Sequence, residues 1–330
     1  MSRRLGALML AVALVGIAAC GSSTTASRDA LRALAVKATT TTVAPSPPTT
    51  APACANPEAS LRPGPLPAPG ALPAGSFMSA IRQRGRLIVG VDQNTLLFGY
   101  LNPASGHIEG FDIDMLRQVA KAIFGDDGQN QETHLQFVAI SAAQRIPFVQ
   151  SGQVDIVADT MTINCAREVV VSFSSVYFKA GQRILVRDNS DIKSSADLGG
   201  KRTCAAAGST SISNVVDVSK THAQSPAIPV QVTDWTDCLV ALQSGTIDAV
   251  STDDTILAGL KAQDPHTKLV GDKFTDEPYG MAINLSHPEF VRFVNGVLER
   301  VRADGTWTAI WNRWLGPGTA PAPPAASYRD

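Results

Sequence analysis

Gln150-Ser-Gly-Gln-Val-Asp155-Ile-Val157 and Gln243-Ser-Gly-Thr-Ile-Asp248-Ala-Val250 are two copies of one pattern. In each, a glycine closes an apolar, helix-like stretch (142–149 and 238–242) and opens a short run of strand-forming residues. That is the signature of a helix-to-strand joint. A second matched pair precedes the joints: Gly85-Arg-Leu-Ile-Val-Gly-Val-Asp92 and Gly200-Lys-Arg-Thr-Cys-Ala-Ala-Ala-Gly208. Both read as a charged start, a buried strand and a polar turn. Strands alternating with amphipathic helices predict an α/β architecture, and the repetition predicts two similar lobes. In an open α/β sheet, ligands sit beyond the carboxyl ends of the strands. The residues there are Asp92, Asp159 to Thr162, Gly208 to Ser211 and Ser251 to Asp254, a set of short hydroxyls and carboxylates. Gly208-Ser-Thr-Ser211 also reads as a helix N-terminus, whose free N–H groups suit an anion. Such a cleft suits a small zwitterion.

Composition narrows the class further. The chain has 330 residues, is 17% charged and 44% hydrophobic, and carries a formal net charge of -1. That length fits two globular units, and the charge balance gives no field for nucleic acid or anionic lipid. The first nineteen residues read as a signal peptide: Arg3 and Arg4 precede an apolar run from Leu5 to Ile17. Ile17-Ala-Ala-Cys20 resembles a bacterial lipobox, which implies cleavage before Cys20, lipidation of its sulfur, and anchoring to the outer face of the cell membrane. Ten of the 21 prolines fall within 39–74, so 20–77 is expected to be a lipidated, extended tether. The Pro/Ala-rich tail, 317–330, is expected to be loose. Setting Cys20 aside leaves Cys54, Cys165, Cys204 and Cys238, and an exported compartment permits disulfides. Cys204 ends a predicted strand of the second lobe and Cys238 lies in the helix beside it, so these two are expected to pair. Cys54 is then left for Cys165. The five histidines are scattered and no C-x-x-C occurs, so no metal and no cofactor are expected.

Further along, Gly110-Phe-Asp-Ile-Asp114-Met-Leu-Arg-Gln-Val119 resembles the signature of the family 3 extracellular solute-binding proteins, the polar amino-acid receptors of ABC importers. Other landmarks follow in order: Ser141 to Arg145, Thr162-Ile-Asn-Cys-Ala-Arg167, Phe173-Ser174 with Tyr177, and Asp304-Gly-Thr-Trp307 to Leu315. The resemblance covers 80–316 and is nearest to actinobacterial glutamine- and glutamate/aspartate-binding members. It implies a two-lobed, type II periplasmic-binding-protein-like fold, with lobe 1 from 78–181 and 276–316, lobe 2 from 182–275, and a ligand cleft between them. It implies that Arg167, helped by Thr162, Ser209 and Thr210, clamps an amino acid's α-carboxylate. Asp253 would hold the α-ammonium with Thr160, although Asp254 stands beside it as an alternative. Arg145 and Asp92 fall where acidic-ligand and glutamine receptors respectively address the ligand side chain, and Trp235 stands where an acidic-ligand receptor can carry histidine. Asp, Glu, Asn and Gln all stay open, with Arg145 favouring the acids. The partner is expected to be an ABC permease or a membrane-bound sensor, and the protein itself a monomer. An enzyme of the cyclohexadienyl dehydratase kind on the same fold is the alternative, with Asp92 as its one loose candidate for proton transfer.

Overall fold

The structure, a computed structural model, describes residues 54–69, 71–126, 132–221 and 225–330. The expected signal peptide, Cys20 and most of the expected tether lie outside the described residues. Two five-stranded sheets form the framework. In lobe 1 the order is Leu135–Ala139, Leu87–Val91, Ile156–Val157, Ala282–Ile283, Ser172–Phe173. In lobe 2 it is Ile228–Val232, Arg202–Ala206, Ala249–Asp253, Gln182–Arg187, Thr267–Val270. In both, the first three strands are parallel and the fourth joins antiparallel. The lobes therefore share a topology.

The repeated Gln-Ser-Gly joint builds the equivalent corner in each lobe. Gly152 and Gly245 sit at φ 70° and 73°, a region that L side chains enter only with strain. The next amide reaches back over the helix end, Gln153 N to Phe148 O and Thr246 N to Ala241 O, both at 3.0 Å. The repeated aspartate then fastens the neighbouring strand. Asp155 N donates to Ile88 O (2.8 Å) while Ile88 N donates to Asp155 Oδ2 (2.7 Å). Asp248 and Arg202 repeat this at 2.9 and 2.8 Å.

Two antiparallel strands, Phe178–Ala180 and Glu277–Tyr279, carry the chain between the lobes. The lobe 1 core is aromatic around them: Phe98, Phe111, Tyr177, Phe178, Tyr279 and Trp307 are all buried. The family-like helix Phe111–Phe124 sits in that core, and its two acids are structural anchors. Asp112 accepts from Tyr177 Oη (2.7 Å), and Asp114 accepts from Trp314 Nε1 (2.6 Å). Lobe 2 has its own core on Leu185, Cys204, Leu239 and Leu257. Disulfides join Cys54 to Cys165 and Cys204 to Cys238.

The chain ends differ from the expectation. The described part of the tether is pinned: Ala59–Ser60 pairs in parallel with Ser327–Tyr328 of the tail. Ser60 Oγ donates to Phe173 O (2.6 Å), and Leu61, Leu66 and Leu72 pack on the lobe 1 core. The prolines stiffen this strap without stopping the interleaved leucines from burying apolar surface. Among the described residues, no helix is long and apolar enough to cross a membrane.

Candidate functional site

The carboxyl ends of both sheets meet at a closed seam. Arg167 Nη2 donates to Gly208 O across it (3.3 Å), and Thr162 Oγ1 lies 3.4 Å from Thr210 Oγ1. A Cβ on Gly208 would stand 2.6 Å from Ala143 Cα, so this approach needs a glycine. Glu277, on one connecting strand, ties the seam together. Its Oε2 accepts from Thr162 Oγ1 (2.6 Å) and Thr210 Oγ1 (3.0 Å), and its Oε1 from Asn214 Nδ2 (3.1 Å).

Lobe 1 supplies both arginines. Arg167 lies in the four-residue helix Cys165–Glu168, capped by Asn164, whose Oδ1 accepts from Arg167 N (2.9 Å). Its Nη1 donates to Thr162 O (2.7 Å). Arg145 opens the helix Arg145–Gln150, with Nη1 on Asp159 O (2.9 Å) and Nε on Ala142 O (3.0 Å). Both guanidiniums are buried. Burial first, then the positive charge of Arg145, brings Arg167 down to about 9, so it stays charged at neutral pH. Two like charges held together out of water form a strong anion site.

Carboxylates stand against them. Asp253, at the end of its lobe 2 strand, accepts from Tyr279 Oη through Oδ2 (2.6 Å), whereas its buried Oδ1 has no partner. Burial, with Glu277 adding repulsion, raises Asp253 to about 8. Asp159 Oδ2 is likewise buried and unpartnered, 3.9 Å from Arg145 Nε. Burial holds the Asp159 carboxyl well above the usual range. Asp92 closes a turn on itself, accepting from Asn94 N (2.8 Å) and Thr95 Oγ1 (2.5 Å), and burial raises it too. Thr160 sits at φ 41°, unusual for a β-branched residue, held by its N–H to Asp112 Oδ2 (2.8 Å).

The structure thus gathers Asp92, Arg145, Thr160, Thr162, Arg167, Thr210 and Asp253 about one seam. Ser209 and Trp235 do other things. Ser209 Oγ donates to Ala206 O (2.6 Å) and accepts from Ile212 N (3.3 Å), so its hydroxyl caps the helix Thr210–Thr221. Trp235 is buried in the lobe 2 core with Leu239 and Ile256, at the start of the helix Trp235–Gln243. Sequence reasoning places Asp159 at a strand end without a role and misses Glu277. Asp159 had a signal, since it stands at a strand's carboxyl end beside Thr160. Glu277 had none, because only the return of the chain through the second connection brings it to Thr162. Among the described residues no cluster of three or more His, Cys, Asp or Glu could hold a metal.

A seam of buried guanidiniums and carboxyl groups between two lobes on a two-stranded connection defines a cleft-closing binding protein. The chain belongs to the bacterial extracellular solute-binding proteins, family 3, whose sequence profile matches residues 87–317. It is similar to the ABC transporter glutamine-binding protein GlnH of Bacillus subtilis (strain 168), at 38% identity over 239 residues, 72% of this chain and 84% of that one. It is also similar to the glutamate-binding protein GluB of Corynebacterium glutamicum, at 33% identity over 249 residues, 73% of this chain and 81% of the other. Among solved structures, an ancestral arginine-binding protein bound to glutamine superposes with a TM-score of 0.63 and 35% identity, covering 71% of this chain and 99% of that one.

Proposed function

We propose that this protein is an extracytoplasmic receptor that closes on a polar amino acid and presents it to a membrane partner. The observation that carries the reading is the pairing of two buried guanidiniums with two buried, unpartnered carboxylate oxygens, Asp159 Oδ2 and Asp253 Oδ1. A free α-amino acid completes such a set: its carboxylate accepts from Arg167 and the turn at Thr210, and its ammonium donates a hydrogen bond to Asp253 Oδ1. A bidentate guanidinium–carboxylate pair is strong and geometrically selective. Arg145, Asp92 and Asp159 then face the ligand side chain, which favours Asp, Glu, Asn and Gln over apolar amino acids. Relatives named for glutamine and for glutamate support this range. The partner is an ABC permease or a membrane-bound sensor, and lipidation at Cys20 tethers the receptor beside it. Asp92, the candidate for proton transfer in the alternative enzyme reading, has both oxygens engaged within its own turn. A thermal-shift survey of the twenty amino acids tests the reading. Stabilisation by the polar four and not by leucine or valine is expected, and a flat survey overturns it.

A further inference from the structure

Arg167 stands on a helix of only four residues, Cys165–Glu168, far too short to hold its own shape. Its supports come from Cys54 and Arg329, which lie on either side of the stretch 87–317 that matches the family profile. On the N-terminal side Cys165 is bonded to Cys54. The strap that follows Cys54 is fixed to rigid parts of lobe 1: Asn295, in the helix Pro288–Ala303, donates to Ser60 Oγ (2.8 Å) and Leu61 O (2.7 Å). On the C-terminal side Arg329 Nη1 pairs with Glu168 Oε1 at 3.1 Å, and Glu168 is largely buried there. Arg329 is itself placed by the pairing of Ser327–Tyr328 with Ala59–Ser60, and Asp330 accepts from Arg62 N (2.6 Å). The strap from Cys54 and the tail at Arg329 thus converge on one short helix, gripping it at its first and last residues. The residue between those grips that reaches the seam is Arg167.

We propose that Cys54, Cys165, Glu168 and Arg329 are positioning residues for Arg167, holding its guanidinium at Thr162 O on the lobe 1 side of the seam. The proposal rests on the reading of Arg167 as the α-carboxylate clamp. A preset guanidinium avoids the ordering cost of binding, so loosening the helix weakens affinity through Arg167 and through no other contact. Because every amino acid carries the α-carboxylate, the loss falls equally on acids and amides.

The test is a double-mutant cycle on the full chain, with glutamine and glutamate as probes and binding followed by tryptophan fluorescence into the millimolar range. One arm removes the bridge as Cys54→Ser with Cys165→Ser. A second arm, Arg329→Ala, leaves the bridge intact and alters an exposed side chain, so folding is not at stake. Each arm is expected to weaken both ligands by about two- to thirtyfold. In an Arg167→Ala background the same changes are expected to do nothing further, since coupled residues are not additive. Unchanged affinity in both arms overturns the proposal. An equal loss with and without Arg167 also overturns it, since the ends then merely stabilise the lobe. Arg167→Ala measured alone separates the two claims: if it binds normally, the clamp reading itself fails and the positioning role falls with it.

Discussion

Arg145 and Arg167 share one seam but have different surroundings, and this separates specificity from binding. Arg145 is held by Asp159 O and lies within 3.9 Å of the unpartnered Asp159 Oδ2, whereas Arg167 bridges Thr162 O and Gly208 O. Arg145→Ala is therefore expected to weaken Asp and Glu more than Asn and Gln. Asp92→Asn should shift preference toward the acids by relieving repulsion. Calorimetric titration of the four ligands reads both, and equal losses for acids and amides in Arg145→Ala contradict the assignment. Acidity gives a separate test. Burial raises Asp112 to about 7 and Asp253 to about 8 in the folded protein. Above the ordinary carboxyl range the unfolded chain has released these two protons and the folded protein has not. Folding then takes up protons, so this contribution to stability falls as pH rises and is gone beyond about pH 8. The ligand-free melting temperature is expected to drop between about pH 5 and about pH 8. Saturating ligand should flatten the drop by setting an ammonium against Asp253. A melting temperature that rises over that range contradicts the picture.

The elements show which parts of the fold were legible. The two Gln-Ser-Gly joints were readable because glycine at a helix end and an aspartate before a strand act locally, within a few residues. Their equivalence is testable. Asp155→Ala leaves the Ile88 amide without its carboxylate acceptor in a buried place, which costs about 1–3 kcal/mol. Asp248→Ala should cost less, because the Asp248 side chain is 31% exposed against 5% for Asp155. Denaturant melts of the two variants check the order, and a reversed order refutes it. The Cys204–Cys238 bridge lies within one lobe, and its removal is expected to lower stability by about 2–4 kcal/mol. The pairing of strap and tail was not legible because composition speaks for solvation and not for pairing: they find each other across a separation of 268 residues, at Ala59 with Ser327. The packing of Trp235 against the lobe 2 core was not legible, since its sequence position alone does not say which helix face meets that core.

Across the whole molecule, closure is what the site requires. Glu277 draws Thr162 of one lobe and Thr210 of the other onto a single carboxylate oxygen, so the connecting strand joins hinge and seam. The proposed lipidation belongs to this scale as well. Cys20→Ala is expected to release the protein from the membrane fraction with ligand affinity unchanged, and a variant still recovered with membranes would refute the anchor. The central claim is that Arg167 holds the carboxylate common to every ligand. Its most direct test is calorimetric titration of the wild type and Arg167→Ala with glutamine, glutamate, asparagine and aspartate. Removing one partner of a buried charge pair costs about 2–5 kcal/mol, which is at least about tenfold in affinity. Saturable binding to the wild type is expected, with a loss of that size in Arg167→Ala for every ligand the wild type binds. Arg167→Ala binding as tightly as the wild type would contradict the central claim.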